Sequence, residues 1–179
     1  MDDSRPADGP RRIKSVQTAS EILDAVQRRP DPTFSDICDE LDASKGTVHT
    51  YLATLEEEGF VAKVDGRYRL GLRLVTMGET VRNETPLYRA GQVEVDKLAG
   101  TTSEYVHLTV VSRGKEVTIY ESRGDNAVAT DYHLRMREAP QYLHCTATGK
   151  AMLGHFGDDR VRDIIDDQGL VEQTDNTIS

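Results

Sequence analysis

Apolar residues recur along the chain at two spacings, helical and alternating. From Ser44 to Gly59 the sequence reads S-K-G-T-V-H-T-Y-L-A-T-L-E-E-E-G. Val48, Tyr51, Leu52 and Leu55 fall at i, i+3, i+4 and i+7, one face of an amphipathic helix. Ser44 is placed to cap its N-terminus. Gly59 suits the left-handed position that ends a helix. Lys45, Gly46, Thr47, His49, Thr50 and Ala53 are left on the outer side of the first turns. They are small, hydrogen-bonding or basic. Glu56, Glu57 and Glu58 load the far end with negative charge, so only the first half of this helix suits an approach to phosphate.

Upstream, residues 1–12 are polar, contain Pro and Gly, and are expected to form a disordered arm. Arg11, Arg12 and Lys14 close it, either as a basic arm on nucleic acid or as a solvated tail. Lys14 to Arg29 predicts a helix with Val16, Ala19, Ile22, Leu23 and Val26 inward, and Pro30 and Pro32 prevent its continuation. Ser35 is the expected cap of a short helix from Asp36 to Leu41, whose Ile37, Cys38 and Leu41 turn inward. Asp42-Ala43-Ser44 is then a tight turn before the longer helix. This order is a helix-turn-helix. After Gly59, Phe60, Val61 and Val64 lead into Asp65-Gly66, a strong hairpin signal, and Tyr68 and Leu70 alternate with Arg67 and Arg69 on the return strand. Such a wing puts Arg67 near its tip, within reach of phosphate or a minor groove. Residues 13–70 therefore predict a winged helix-turn-helix.

Gly71 to Arg82 reads as a helix bearing Leu72, Leu74, Val75, Met77 and Val81. Residues 71–85 are the expected linker, a spacer and dimer contact. Thr85 can cap and Pro86 can open a following helix to about Leu98. From Thr102 the period becomes two. Strands are expected over Tyr105–Val111, Val117–Glu121 and Ala127–Leu134, and helices over Gly149–Phe156 and Asp158–Asp167. Three antiparallel strands after a helix make residues 86–179 an α+β domain.

Charge complicates a nucleic-acid role. The 179 residues carry a net charge of −9. Residues 1–70 hold 10 Lys+Arg against 14 Asp+Glu, net −4, whereas a typical nucleic-acid binder is basic. A helix-turn-helix needs only a local basic edge. The basic residues are 16 Arg and 6 Lys, and an acid-rich, Lys-poor surface suits a protein kept soluble in concentrated salt. Counterion release then supplies less binding energy, so direct and shape contacts must carry more. Two cysteines, Cys38 and Cys145, make no disulfide framework or metal knuckle, so a reducing cytoplasm is expected. No run is apolar enough to span a membrane.

Candidate chemistry is sparse. His144-Cys145 lacks a carboxylate partner at a diagnostic spacing, so catalysis is not expected. No histidine pair has metal-ligand spacing, and neither a metal nor a cofactor is expected. Lys150 follows a glycine, but the phosphate-loop pattern fails at its first glycine and at Ala151. His144, Thr146, Ala147, Thr148 and Gly149 are small, polar and open a helix. They suit an anion or carboxylate pocket, or a loop-to-helix junction that needs small residues for packing alone.

Taken together, Lys14-Ser15-Val16, Ser44-Lys45-Gly46-Thr47-Val48-His49, Leu52-Ala53-Thr54-Leu55-Glu56, Gly59-Phe60-Val61, Arg67-Tyr68-Arg69-Leu70-Gly71, Val106-His107-Leu108 and His144-Cys145-Thr146-Ala147-Thr148-Gly149-Lys150-Ala151 resemble the IclR family of transcriptional regulators. The acidic composition would suit a haloarchaeal member. The resemblance implies a winged helix-turn-helix, a linker helix and a GAF-like effector-binding domain. It also implies homodimers or tetramers on palindromic double-stranded DNA operators, and a small organic effector such as an organic acid or an aromatic compound. The implied DNA-contacting residues are Ser35, Ser44, Lys45, Gly46, Thr47, His49, Thr50, Arg67 and Arg69. The loop containing Ala147 and Thr148 would line the effector pocket.

Family members usually carry serine at the place of Gly46 and arginine at that of Thr50, so this helix is sparsely armed. They also usually continue further, which makes the sheet and effector domain expected here incomplete. The competing expectation is a truncated, DNA-silent module that pairs with full-length relatives.

Overall fold

Four apolar side chains from three short helices meet at the centre of the N-terminal unit. They are Ile22 of α1 (Lys14–Arg28), Ile37 of α2 (Phe34–Glu40), and Val48 and Leu52 of α3 (Lys45–Glu57), each at most 1% exposed. Val61 of β1 (Val61–Val64) and Tyr68 of β2 (Arg67–Leu70) close the same core from the hairpin. The computed structural model describes residues 12–128 and 140–172. Residues 1–80 and 81–179 form two units, and the division falls inside a helix. Residues 1–11 of the expected arm lie outside the described residues.

The buried face of α1 is Thr18, Ile22, Ala25 and Val26, and Val16 is not on it. At 3.6 residues per turn Val16 stands about 120° round the helix from Ile22, which turns it to solvent. A second correction concerns α2. Its cap is Thr33, not Ser35. The Thr33 hydroxyl accepts the Asp36 N–H at 3.3 Å, and the Asp36 carboxylate accepts the Thr33 N–H at 2.8 Å and its O–H at 2.6 Å. This reciprocal box satisfies two orphan donors at once, which a cap at Ser35 would not. Ser35 is instead an exposed residue in the first turn of α2.

Helix α3 is capped by Ser44, whose hydroxyl accepts the Thr47 N–H at 3.1 Å. It ends in a Schellman motif: Phe60 N–H to Leu55 O at 2.8 Å and Gly59 N–H to Glu56 O at 3.0 Å, with Gly59 at φ 74°. Asp65 and Gly66 both have positive φ, as a type I′ hairpin turn requires. The loop between α1 and α2 adds to the other side of β2, through a Thr33–Arg67 bridge and a Tyr68 N–H to Pro32 O bond of 2.9 Å. Past the wing, Gly71 donates its N–H to Phe60 O at 2.8 Å. A Cβ at Gly71 would lie 2.0 Å from Gly59 O, so no other residue fits there. Helix α4 (Arg73–Glu84) follows and buries no residue.

In the second unit Thr85 precedes α5 (Pro86–Thr102) without capping it, because its hydroxyl donates to Val81 O at 2.9 Å. The helix runs one turn beyond the expected Leu98 and stops where Ser103 takes φ 60°. Among the described residues a three-stranded antiparallel sheet has the order β3 (Tyr105–Ser112), β4 (Lys115–Arg123), β5 (Gln141–Tyr142). The expected strand over Ala127–Leu134 is not seen at Ala127 and Val128, and residues 129–134 lie outside the described residues. A 3-10 turn (Leu143–Cys145) leads to α6 (Ala147–Leu153), and α7 (Asp158–Gln168) follows. The register shifts between Leu108 and Thr109. Before that shift, the cross-strand partners Leu108 and Tyr120 face α5, where Leu108 touches the Gly91 position and the Tyr120 hydroxyl reaches Asp96. The neighbouring pair, His107 and Glu121, therefore faces away from α5. Among the described residues no helix is long and apolar enough to cross a membrane.

Two substitutions test the packing and the cap. Leu52→Ala should destabilise the N-terminal unit by about 2–5 kcal/mol in urea unfolding. Thr33→Ala should cost about 0.5–2 kcal/mol, and Ser35→Ala should stay within about 0.5 kcal/mol. A loss at Ser35 with none at Thr33 would return the cap to Ser35.

Candidate nucleic-acid interface and effector region

Helix α3 presents one face to the core and the other to solvent. Lys45, Gly46, Thr47, His49, Thr50 and Ala53 are all exposed, while Val48, Leu52 and Leu55 between them are buried. Several of the outward hydroxyls are already engaged. The Ser44 and Thr47 hydroxyls share a hydrogen bond of 2.8 Å. The Thr50 hydroxyl donates to Gly46 O at 3.0 Å, and that of Thr54 to Thr50 O at 2.9 Å. Thr50 thus offers a partner lone pairs and a methyl group, not a proton. His49 stands edge-on to Phe34, ring centroids 6.2 Å apart. Lys45 and His49 are left as the outward nitrogen donors of the first two turns. No acidic residue occupies the first turn.

The wing arginines turn to Asp31, in the loop between α1 and α2. Arg69 grips the Asp31 carboxylate through Nε and through Nη2, the latter at 2.9 Å. Arg67 donates from Nη1 to the Asp31 carbonyl oxygen at 2.9 Å. The Arg69 hydrogen bond holds the Asp31 carboxyl below its ordinary value, and the same contact pushes the Arg69 guanidinium up. Sequence pattern alone missed Asp31. Its signal was Pro30-Asp31-Pro32, a kink in which Asp takes φ 52°.

In the second unit the five expected effector residues differ in exposure. Ala147 and Thr148 are exposed at the start of α6. The Thr146 hydroxyl accepts the Gly149 N–H at 2.9 Å and donates to the carboxylate of Glu116, a residue 5% exposed. A carboxylate of the chain's own therefore meets the small-residue junction, which opposes an anionic ligand at that point. Gly149 is buried, and a Cβ there would lie 2.3 Å from Leu143 O, so close packing accounts for the glycine. His144 leans on Tyr142, and its Nε2 lies 3.0 Å from Val171 O. Leu143, His144, Leu153, Ile164 and Leu170 help line an apolar cavity of about 70 Å³. That is room for one or two waters. The cavity includes His144 but not Thr146 to Gly149. Among the described residues no group of three or more His, Cys, Asp or Glu is placed to hold a metal ion. Cys38 is half-buried against the core, and burial pushes its thiol up.

On the α5 side, a chain of contacts runs from the end of α4 into the sheet. Arg82 lies over the Tyr88 ring at 5.1 Å, and Tyr88 stands edge-on to Tyr120 at 5.5 Å. The Tyr120 hydroxyl donates to the Asp96 carboxylate at 3.0 Å.

Comparison with known proteins follows the same two units. Residues 15–65 match the family described as the IclR helix-turn-helix domain. Residues 79–179, more than half of the chain, match that described as bacterial transcriptional regulator IclR C-terminal. The chain belongs to the IclR family. This is a family of transcriptional regulators, not of enzymes. A probable HTH-type transcriptional regulator, ArcR of Halobacterium salinarum, is 45% identical over 87% of this chain and 60% of its own length. The chain thus spans about three-fifths of that relative. The Thermotoga maritima IclR crystal structure is 26% identical, with a TM-score of 0.61 over 94% of this chain and 68% of that one. An IclR homologue from Microbacterium hydrocarbonoxydans, solved with 4-hydroxybenzoate, shares the fold at 19% identity, with a TM-score of 0.68 over 92% of this chain and 68% of that one.

The Tyr120–Asp96 bond has a measurable signature. The Asp96 hydrogen bond, with burial and the Asp96 charge behind it, raises the Tyr120 pKa above its ordinary value. A raised folded-state pKa stabilises the fold below the unfolded value and is lost as pH rises through the folded one. Stability should accordingly fall on the alkaline side of about pH 10. Ultraviolet titration of Asp96→Asn should show Tyr120 moving back toward its ordinary value.

Proposed function

We propose that the chain binds double-stranded DNA through the first two turns of α3 and regulates transcription in response to a small organic molecule taken up by its second unit. The observation that carries the DNA role is the division of α3. One face is fully buried, and the other begins at a Ser44 cap and stays free of acid for two turns. Ser44, Lys45, Gly46, Thr47, His49 and Thr50 supply the groove-facing surface, with Ser35 at the start of α2 and Arg67 and Arg69 on the wing. Lys45 and His49 are the main donors to base or phosphate. A palindromic operator follows if two copies pair through the bare α4, whose Met77 and Val81 are exposed. A dimer, or a tetramer built from dimers, is the form we assign to it.

The effector role rests on the match to the IclR C-terminal family and on the homologue that holds 4-hydroxybenzoate. Within residues 86–179, His144, Thr146, Ala147, Thr148 and Gly149 form one wall of the site we assign to the effector. The Glu116 carboxylate behind Thr146 favours a hydroxyl or other neutral donor at this wall over the carboxylate of an organic acid.

A second function, a DNA-silent partner of longer relatives, is favoured by one observation: both wing arginines are turned to Asp31 in a unit of net charge −4. Titration of the purified chain against its upstream DNA and a random duplex, at several salt concentrations, separates the two. Salt-dependent binding with preference for the upstream DNA supports the regulator, and no binding to either duplex supports the silent partner. His49→Ala should cost about 1–3 kcal/mol of specific binding. Unchanged affinity in that variant would remove α3 from base contact.

A further inference from the structure

We propose that Asp31 is an intramolecular competitor for phosphate that holds Arg69 of the wing away from DNA. This rests on the DNA-binding role assigned above. Arg69 meets Asp31 with Nε and Nη2, the fork that would receive two oxygens of a phosphate. One guanidinium edge cannot serve both carboxylate and phosphate, so a two-oxygen phosphate contact through the Nε/Nη2 edge of Arg69 requires the clamp to open. Arg67 is held differently. It bonds through Nη1 to the main-chain oxygen of Asp31 and not to the carboxylate.

The clamp lies on the outer face of the wing sheet. Arg67 and Arg69 pair across the hairpin with Val64 and Ala62, while Tyr68 between them points into the core. The side chains of Arg69 and Asp31 are 57% and 40% exposed, so water and salt reach the pair. An exposed ion pair is weak. It therefore sets a threshold for DNA contact without abolishing it. Asp31 also fits this position conformationally. Its φ of 52° is one that Asp and Asn tolerate, so a neutral Asn preserves the loop and its carbonyl bond to Arg67.

The test is a double-mutant cycle in the full chain, with Asp31→Asn and Arg69→Gln made singly and together. Each protein is titrated with the same 20–30 base-pair class of duplex used for the parent, across a salt series. Circular dichroism confirms folding. Asp31→Asn should bind roughly two- to fivefold more tightly at low salt. Its log–log salt slope should steepen by about one phosphate's worth. Both gains should vanish in the Arg69→Gln background. An equal gain in both backgrounds means that only bulk charge was changed, and it overturns the clamp. So does weaker or unchanged binding by Asp31→Asn. If the parent binds and Asp31→Asn does not differ, the clamp alone falls. If no variant binds any duplex, the DNA role falls with it.

Discussion

The N-terminal unit depends on a very small core. Ile22, Ile37, Val48 and Leu52 must fasten three helices, the shortest of seven residues, while Val61 and Tyr68 attach the hairpin. Isolated helices of these lengths are marginal in water, and tertiary burial supplies most of their stability. The core therefore decides the geometry of the surface. Because Val48 and Leu52 are fixed inward, Thr47, His49 and Thr50 have no choice but to face out.

Polar groups at the element ends are settled by near neighbours in sequence. Thr33 with Asp36 starts α2, Ser44 with Thr47 starts α3, and Thr146 with Gly149 starts α6. Two carboxylates, Asp31 and Glu116, depart from this local pattern. Asp31 reaches across to the wing, and Glu116 reaches from β4 to the start of α6. Each brings negative charge to a surface for which a ligand anion was the natural expectation. At Asp31 the carboxylate holds the Arg69 guanidinium, and at Glu116 it accepts the Thr146 hydroxyl.

The helix order, the stripe on α3, the Asp65-Gly66 turn and the Gly59 terminus were legible because each is a local pattern with a local physical cause. The Thr33-x-x-Asp36 box was equally visible, yet Ser35 drew attention because it stands next to the acidic turn. Val16 was misplaced since an apolar residue in a first turn satisfies helical spacing loosely without lying on the buried arc. At Asp31 the Pro30-Asp31-Pro32 kink was legible, but its contacts were not. Its partners, Arg67 and Arg69, lie 36 and 38 residues away, and only the fold brings them together. The strand expected from Ala127 is not seen at Ala127 and Val128, and its remainder lies outside the described residues. Alternation marks residues able to form a strand but names no partner, and the β5 residues that pair with Lys115 and Glu116 carry no alternation to find.

The glycine contact after the wing bears on mechanics. Gly71 lies against the backbone of Gly59 and Phe60, and Arg73 spans the same joint, over the Phe60 ring at 4.4 Å and onto the Glu58 carbonyl oxygen at 2.6 Å. At Gly71 itself no side chain separates the two stretches of backbone. The start of α4 is thereby fastened to the end of α3 by backbone and by one arginine, inside the N-terminal unit.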